Sequence, residues 1–135
     1  MIKGILLILV LLVSGMVKGQ NPLTETIQWN ASGFKDLGTN QDFVNNCQLI
    51  TYGKSRVKWI QDNSKSILQL NVTSTIGTWP NINNEGSIKY KFSDGTLSGE
   101  LIITKSGSQW VAELTILGGT DTIRLRYSIS SIKKI

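Results

Sequence analysis

The second half of the chain alternates between apolar and polar residues in short runs that end at turn-forming residues. From about residue 48 onward, Val, Ile, Thr, Trp and Tyr are frequent in these runs, and such residues favour strands. We predict eight strands, near residues 25–30, 48–53, 56–61, 66–74, 86–92, 96–105, 108–117 and 122–131. Short turns between successive strands imply antiparallel pairing, so the pattern predicts an all-β meander.

One segment departs from this strand pattern. The stretch TNQDFVNN, residues 39–46, predicts a short helix in which Thr39 is the N-cap. Asp42, three residues later, would complete a weak capping box. Most of the other connections are short enough to be tight turns.

Turn signals that contain glycine set the predicted register of the last four strands. Asp94-Gly95 is a typical two-residue hairpin turn, because both of its positions need positive φ. That turn would pair Tyr90 with Gly99 and lay the tyrosine ring over bare backbone. Ser106-Gly107 and Gly118-Gly119 predict the next two turns in the same way.

This register collects apolar side chains on one face of a four-stranded sheet. The face comprises Ile88, Tyr90, Phe92, Leu97, Leu101, Ile103, Trp110, Ala112, Leu114, Ile116, Ile123, Leu125, Tyr127 and Ile129. The first half of the chain offers cover for it through Leu49, Val57, Trp59, Leu68, Leu70 and Val72. A sheet that is wet on one face needs such cover on the other. We predict that about eight strands close into a small up-and-down barrel, and a two-sheet β-sandwich is the alternative.

The N-terminal residues have the pattern of a secretory signal peptide. Lys3 gives a positive start, Ile5 to Val13 is apolar, and small residues precede a cleavage point after Gly19. The apolar run falls short of the ~20 residues that a transmembrane helix needs, and no cysteine stands where a lipid anchor would be attached. We therefore predict a signal peptide over residues 1–19 and a single all-β domain over residues 20–135. That domain would be secreted or periplasmic, with no stable membrane anchor after signal removal.

The side-chain inventory excludes much of the common chemistry. The chain has no histidine, which removes the usual general base, the usual metal ligand and the Ser-His and Cys-His pairs. Its single cysteine, Cys47, allows no internal disulfide. We predict that Cys47 is a small buried apolar residue, while a bridge to another chain or a reactive thiol is the alternative.

The charge balance is mildly basic. Removing Lys3 and Lys18 lowers the basic residues from 14 to 12 against 9 acidic residues, so the net charge falls from +5 to +3. Five basic residues are predicted to share one outer face: Lys58, Lys89, Lys91, Arg124 and Arg126. The outward positions of the last four strands carry no aromatic side chain. Single-stranded nucleic acid needs aromatics interleaved with such a patch, so we interpret this face as solvated and expect no nucleic-acid partner.

Paired carboxylates are the remaining route to catalysis. The predicted register places Glu100 beside Glu113, which is the best candidate pair in the chain. Lys89 and Arg124 flank the two, so we interpret the row as structural ion pairs and expect no enzyme activity. The loop at residues 81–86 is rich in asparagine but has one charge, too few for calcium, and we predict no metal site and no cofactor.

Two aromatic residues are the candidate ligand-binding residues, Trp79 and Tyr52. Trp79 lies on a predicted loop, where it would stack on a sugar, fill a partner's pocket or cap the open end of the core, and the capping role is the one we favour. Asn30-Ala31-Ser32 and Asn71-Val72-Thr73 match the pattern of N-glycosylation acceptors, which matters only in a eukaryotic cell.

An exported eight-strand meander resembles lipocalin-like proteins in architecture. Those proteins usually carry Gly-x-Trp at the first strand, whereas Gly77-Thr78-Trp79 lies in the middle of this chain. Trp29, near the first predicted strand, has Ile27 where the glycine would be. The likeness is therefore one of architecture and carries no function with it.

These observations predict a small exported, monomeric domain that binds and does not catalyse. Its ligand would be small and apolar if the barrel has a cavity, or a glycan or protein if the loops provide the site. The alternative is a structural or inhibitory module of the cell envelope or secretome that works through protein contacts.

Overall fold

The computed structural model describes residues 20–61 and 66–135, and these form a closed barrel of eight antiparallel strands in sequence order. The strands are β1 (Thr26–Asp36), β2 (Gln41–Tyr52), β3 (Arg56–Gln61), β4 (Ser66–Ile76), β5 (Gly86–Ser93), β6 (Leu97–Ser106), β7 (Gln109–Gly118) and β8 (Asp121–Lys134). Pairing of β8 with β1 closes the barrel. The predicted all-β barrel is confirmed, and the sandwich is excluded. The predicted signal peptide lies outside the described residues.

No helix in the described part of the chain is long and apolar enough to cross a membrane. The short helix predicted at residues 39–46 is wrong, because residues 41–46 belong to β2. Phe43 pairs with Phe34 across the first hairpin, and their rings stack with centroids 5.1 Å apart. Such a cross-strand aromatic contact outweighs a weak capping box.

The last two hairpins have two-residue turns, each one residue further along the chain than predicted. Gly118 pairs with Asp121 around Gly119-Thr120, and Ser106 pairs with Gln109 around Gly107-Ser108. In both turns the glycine takes the first loop position, with φ of 63° at Gly107 and 61° at Gly119. This position favours glycine in type II′ turns. The predicted turns had instead placed Gly107 and Gly119 at the second loop position.

The β5–β6 turn is longer than the two residues predicted, because the Asp94 side chain organises it. One carboxylate oxygen of Asp94 accepts hydrogen bonds from the backbone amides of Thr96, at 3.1 Å, and Leu97, at 2.6 Å. These bonds lower the pKa of the Asp94 carboxyl. Ser93 consequently pairs with Ser98, and Gly99 lies opposite Phe92, not opposite Tyr90 as predicted.

In all three hairpins each residue pairs with a partner two positions further along than predicted. In the last two hairpins, this is because moving a turn by one residue changes the partner by two. This shift leaves every side chain on its predicted face. Side chains alternate with a period of two along a strand, so an even shift changes partners without exchanging inside and outside. The interior is accordingly filled with apolar side chains from both halves of the chain. Its largest fully buried members are Trp29, Trp79, Tyr90, Tyr127, Phe92, Ile27, Leu49, Ile82, Ile88, Leu101, Ile103 and Leu114.

At Gly99 the backbone of β6 lies close to the backbone of β7 and to the interior ring of Phe92. A Cβ atom at this position would lie 1.9 Å from the Thr115 carbonyl oxygen and 3.0 Å from the Phe92 ring. We predict that Gly99→Ala lowers the free energy of unfolding by about 1–3 kcal/mol, because backbone must move to admit the methyl group. Urea unfolding measures this.

Ser98→Ala on the neighbouring half-buried position is the matched control and should change stability by less than about 0.5 kcal/mol. A Gly99→Ala protein as stable as the wild type would contradict the close approach.

Candidate functional site

The two ends of the barrel differ, and one of them is sealed by the loop at residues 77–85. Trp79 from this loop is 2 % exposed and stacks on Trp29, with ring centroids 6.1 Å apart. Its indole Nε1 donates to the Asn84 carbonyl oxygen at 2.9 Å, and Ile82 is buried beside it. We call this loop the plug.

Hydrogen bonds to three separate parts of the chain hold the plug in place. Trp110 Nε1 donates to the Ile82 carbonyl oxygen at 2.8 Å, and the Ile82 amide donates to the Gln20 carbonyl oxygen at 3.0 Å. The Gly107 amide donates to Glu85 Oε1 at 2.8 Å. The plug is thus tied to β7, to the N-terminal segment and to the β6–β7 turn, which makes this end of the barrel rigid.

The opposite end is the candidate site, and we call it the mouth. The described turns there are short, at residues 37–40, 94–96 and 119–120. Inward-facing apolar side chains near this end are half-buried or exposed: Phe34, Phe43, Trp59, Leu68, Leu97 and Ile123. Ile123 is 47 % exposed although it continues the inward row of Leu125 and Tyr127. Mouths of β-barrels are preferred positions for small-molecule sites.

An unbroken series of aromatic rings leads from the mouth into the interior, and we call it the aromatic chain. Phe43, 38 % exposed, stacks on Phe34. Phe34 lies 5.5 Å from Tyr127, centroid to centroid, and Tyr127 lies 6.3 Å from Trp59 in an edge-to-face arrangement. Tyr127 is fully buried. Ring faces and edges thus offer an apolar path from solvent to the centre of the barrel.

Two hydrogen-bond donors at the inner end of the aromatic chain have no partner. Trp59 Nε1 and the Tyr127 hydroxyl are buried and make no hydrogen bond to any described group. The indoles of Trp29, Trp79 and Trp110 each donate one, to Thr51 Oγ1 at 3.0 Å and to the two plug carbonyls. A buried unpaired donor costs about 1–3 kcal/mol, so the pair at Trp59 and Tyr127 calls for an explanation.

A third donor, the Tyr90 hydroxyl, is also buried without a partner. It lies beside Thr51, whose hydroxyl already accepts from Trp29. Thr51 is the one buried polar or charged residue found in the described chain, so the interior holds no cation that would neutralise an acid.

Burial controls the protonation of the interior groups. It raises the pKa of the Cys47 thiol to about 11. It likewise raises the pKa of Tyr90 and of Tyr127, and a nearby Cys47 adds to the rise at Tyr127. At neutral pH all three groups are uncharged, and both tyrosines present an O–H donor.

The two residues predicted from sequence to bind ligand lie apart. Trp79 belongs to the plug and caps one end of the core, which is the role that we favoured for it from the sequence. Tyr52 follows buried Thr51 in β2 and therefore faces outward, with the Arg56 guanidinium 4.2 Å above its ring. A ligand contact for either residue stays a prediction. The sequence did not identify Trp59, Tyr127, Phe34 or Phe43 as site residues. Phe34 and Phe43 were missed because β1 and β2 are longer than predicted and include both residues.

The predicted carboxylate pair is absent. Glu100 pairs with Thr115, and Glu113 lies opposite Arg126, whose guanidinium it binds at 2.7 and 2.9 Å. Lys89 lies 3.6 Å from Glu100. The two-residue register shift separates the acids and gives each a basic neighbour.

The five basic residues predicted on one face are also distributed around the wall. Lys58 is on β3, Lys89 and Lys91 are on β5, and Arg124 and Arg126 are on β8. The described residues contain no group of three Cys, Asp or Glu side chains that could hold a metal ion.

No protein-family model matches the chain, and neither a curated protein nor a solved structure shows significant similarity to it. The fold and the mouth therefore carry the functional argument.

The interior protonation predicts a loss of stability at alkaline pH. The folded state keeps the Cys47 proton up to a pKa of about 11, whereas the unfolded chain releases it near 9. The resulting stabilisation is complete below about pH 9 and is lost as the pH rises toward 11. The two tyrosines act in the same direction. Urea unfolding across this pH range measures the decline, which should be smaller in Cys47→Ala.

Thiol reagents test the same burial. We expect Cys47 to react at pH 8 at a small fraction of the rate in urea-unfolded protein, because the folded thiol is protonated and inaccessible. Equal rates in the two states would show that Cys47 is reactive after all.

Proposed function

We propose that this protein is a secreted or periplasmic binding domain without enzyme activity, whose ligand is a small, neutral and largely apolar molecule held at the mouth. One observation carries the proposal. Trp59 Nε1 and the Tyr127 hydroxyl are buried, unpartnered and placed at the inner end of the aromatic chain. A ligand that brings a hydrogen-bond acceptor to them removes the penalty that the free protein bears.

The chemistry of the ligand follows from the surroundings of these donors. They are uncharged, and burying a carboxylate beside them without a cation would be strongly unfavourable. A carbonyl, ester or ether oxygen accepts a hydrogen bond from such a donor without that penalty. The apolar remainder of the ligand would lie against Phe34, Phe43 and the half-buried aliphatic side chains of the mouth. Aliphatic ketones and esters of moderate length have this composition.

Binding requires movement only at the mouth. Side chains fill the interior, as is common in barrels of eight strands. The plug end is fixed by hydrogen bonds, whereas Phe43 is partly in solvent and held mainly by its stack on Phe34. Rotation of these two rings opens the path to Tyr127 while the strand ladder stays intact. The ligand would therefore extend from the mouth to the Tyr127 hydroxyl.

A matched ligand series tests the proposal. A medium-chain methyl ketone should bind saturably, measured by calorimetry, and more tightly than the alkane or the fatty-acid anion of equal chain length. Tyr127→Phe should weaken ketone binding about two- to tenfold, since one hydrogen bond is worth about 0.5–1.5 kcal/mol. Alkane binding should not change in this variant.

Stability measurements separate binding from folding in the same variant. Removing a buried hydroxyl that has no partner should leave the free energy of unfolding of the ligand-free protein unchanged or raise it. Tyr52→Phe, on the outer face, is the control and should alter neither quantity. Preference for the anion, or equal ketone affinity in wild type and Tyr127→Phe, would reject the proposed site.

A protein partner is the second candidate function, and one observation favours it. Val44 is 97 % exposed on β2, next to the half-exposed Phe43, at the rim of the mouth. An apolar side chain in this setting suits a contact with another protein. Val44→Ser should then abolish partner capture from the native source, whereas ketone binding should persist.

A further inference from the structure

A polar groove crosses the outer wall of the barrel where β8, β1 and β2 meet, on the other side of the wall from the aromatic chain. Its volume is about 450 Å³, within the range of small-ligand sites. Its walls comprise Asn30, Ala31, Ser32, Asn46, Cys47, Gln48, Ile60 and Ser130. We call it the bulge groove.

Breaks in strand register produce this hollow. Against β8, the register of β1 shifts between Asn30 and Ala31 and again between Ala31 and Phe34. Against β2 it shifts between Ala31 and Gly33. A bulge leaves a residue outside the ladder and bends its strand. Three such breaks within five residues make a concave surface that is part of the sheet and needs no mobile loop.

Uncharged amides and hydroxyls line the bulge groove. Asn30 is already fixed, since its Nδ2 donates to Ser131 Oγ at 3.0 Å and its Oδ1 accepts from Gln28 at 2.8 Å. Asn46 and Gln48 make no side-chain hydrogen bond to any described residue. Each of these two amides therefore presents both a donor and an acceptor toward the groove.

We propose that the bulge groove binds a neutral oligosaccharide. Paired hydroxyls of a sugar match the donor and acceptor of one amide, and Ile60 gives an apolar surface for the C–H face of a ring. The residues that line the groove carry no charge, whereas Lys35, Asp42 and Arg126 line an adjoining hollow in which Lys35 and Asp42 lie 3.8 Å apart. An anionic glycan would thus lack a cation within the groove.

A peptide fits this surface less well. Peptides commonly bind a sheet by extending an exposed edge strand. In the bulge groove, Cys47 and Gln48 of β2 pair with β1 on one side and with β3 on the other, so this part of the wall offers no free edge. Discrete side-chain amides remain as the means of recognition, and these suit hydroxyl groups.

NMR titration of the isotope-labelled domain tests the proposal, with maltotriose, cellotriose and chitotriose as neutral probes and trigalacturonate as the anionic probe. At least one neutral trisaccharide should give saturable shifts confined to groove residues, including the side-chain amides of Asn46 and Gln48. Asn46→Ala and Gln48→Ala should each weaken binding about two- to tenfold. Gln69→Ala, on the exposed face of β4, is the matched control and should bind as the wild type does.

Other results overturn the proposal. These are an absence of saturable shifts with all three neutral probes, shifts centred away from the groove, tighter binding of trigalacturonate, or unchanged affinity in both groove variants. Ketone binding at the mouth should be unaffected in Asn46→Ala and Gln48→Ala. The groove and the mouth can therefore fail independently.

Discussion

Pairing of the first strand with the last is the contact on which the rest of the molecule depends. Ile27 of β1 lies opposite Lys134 of β8, so residues more than a hundred positions apart share one ladder. Without this closure the sheet would expose two edges and one apolar face. With it, the inward residues of all eight strands share a single interior. The same pairing also carries two of the three register breaks that shape the outer wall.

The closed wall divides the polar groups of the protein into two classes. Outside, Glu113 binds Arg126 and Lys134 binds Glu25, in contacts of the kind that contribute little to stability in water. Inside, the indoles of Trp29 and Trp79 have hydrogen-bond partners, whereas Trp59 Nε1 and the hydroxyls of Tyr90 and Tyr127 have none among the described residues. Of these three, Trp59 and Tyr127 lie at the inner end of the aromatic chain that begins at the mouth. Local departures from good packing chemistry tend to coincide with functional sites.

Much of the fold could be predicted because its main signal has a short period. Alternation places Tyr90, Leu101, Leu114 and Leu125 inside whichever even register the hairpins adopt. The cross-strand partner of each residue was less predictable. The register depends on where glycine lies within each turn and, in the β5–β6 turn, on the Asp94 side chain. The first hairpin escaped prediction because Phe34 and Phe43 are paired across it, and no local pattern marks that contact. The candidate site was missed for a related reason: whether the indole of Trp59 finds a partner depends on strands far away in sequence.

By itself, the sequence determined the number and order of the strands and the apolar face of the last four, because these follow from local propensity and two-residue alternation. It also excluded histidine chemistry and internal disulfides through composition alone. Only the tertiary structure decided that Trp79 seals one end, that Glu100 and Glu113 are separated, and that Trp59 Nε1 and the Tyr127 hydroxyl are buried without partners at the inner end of the aromatic chain. Those outcomes depend on register, on bulges and on the closure of β1 against β8, where small shifts accumulate around the barrel and set which distant side chains face each other.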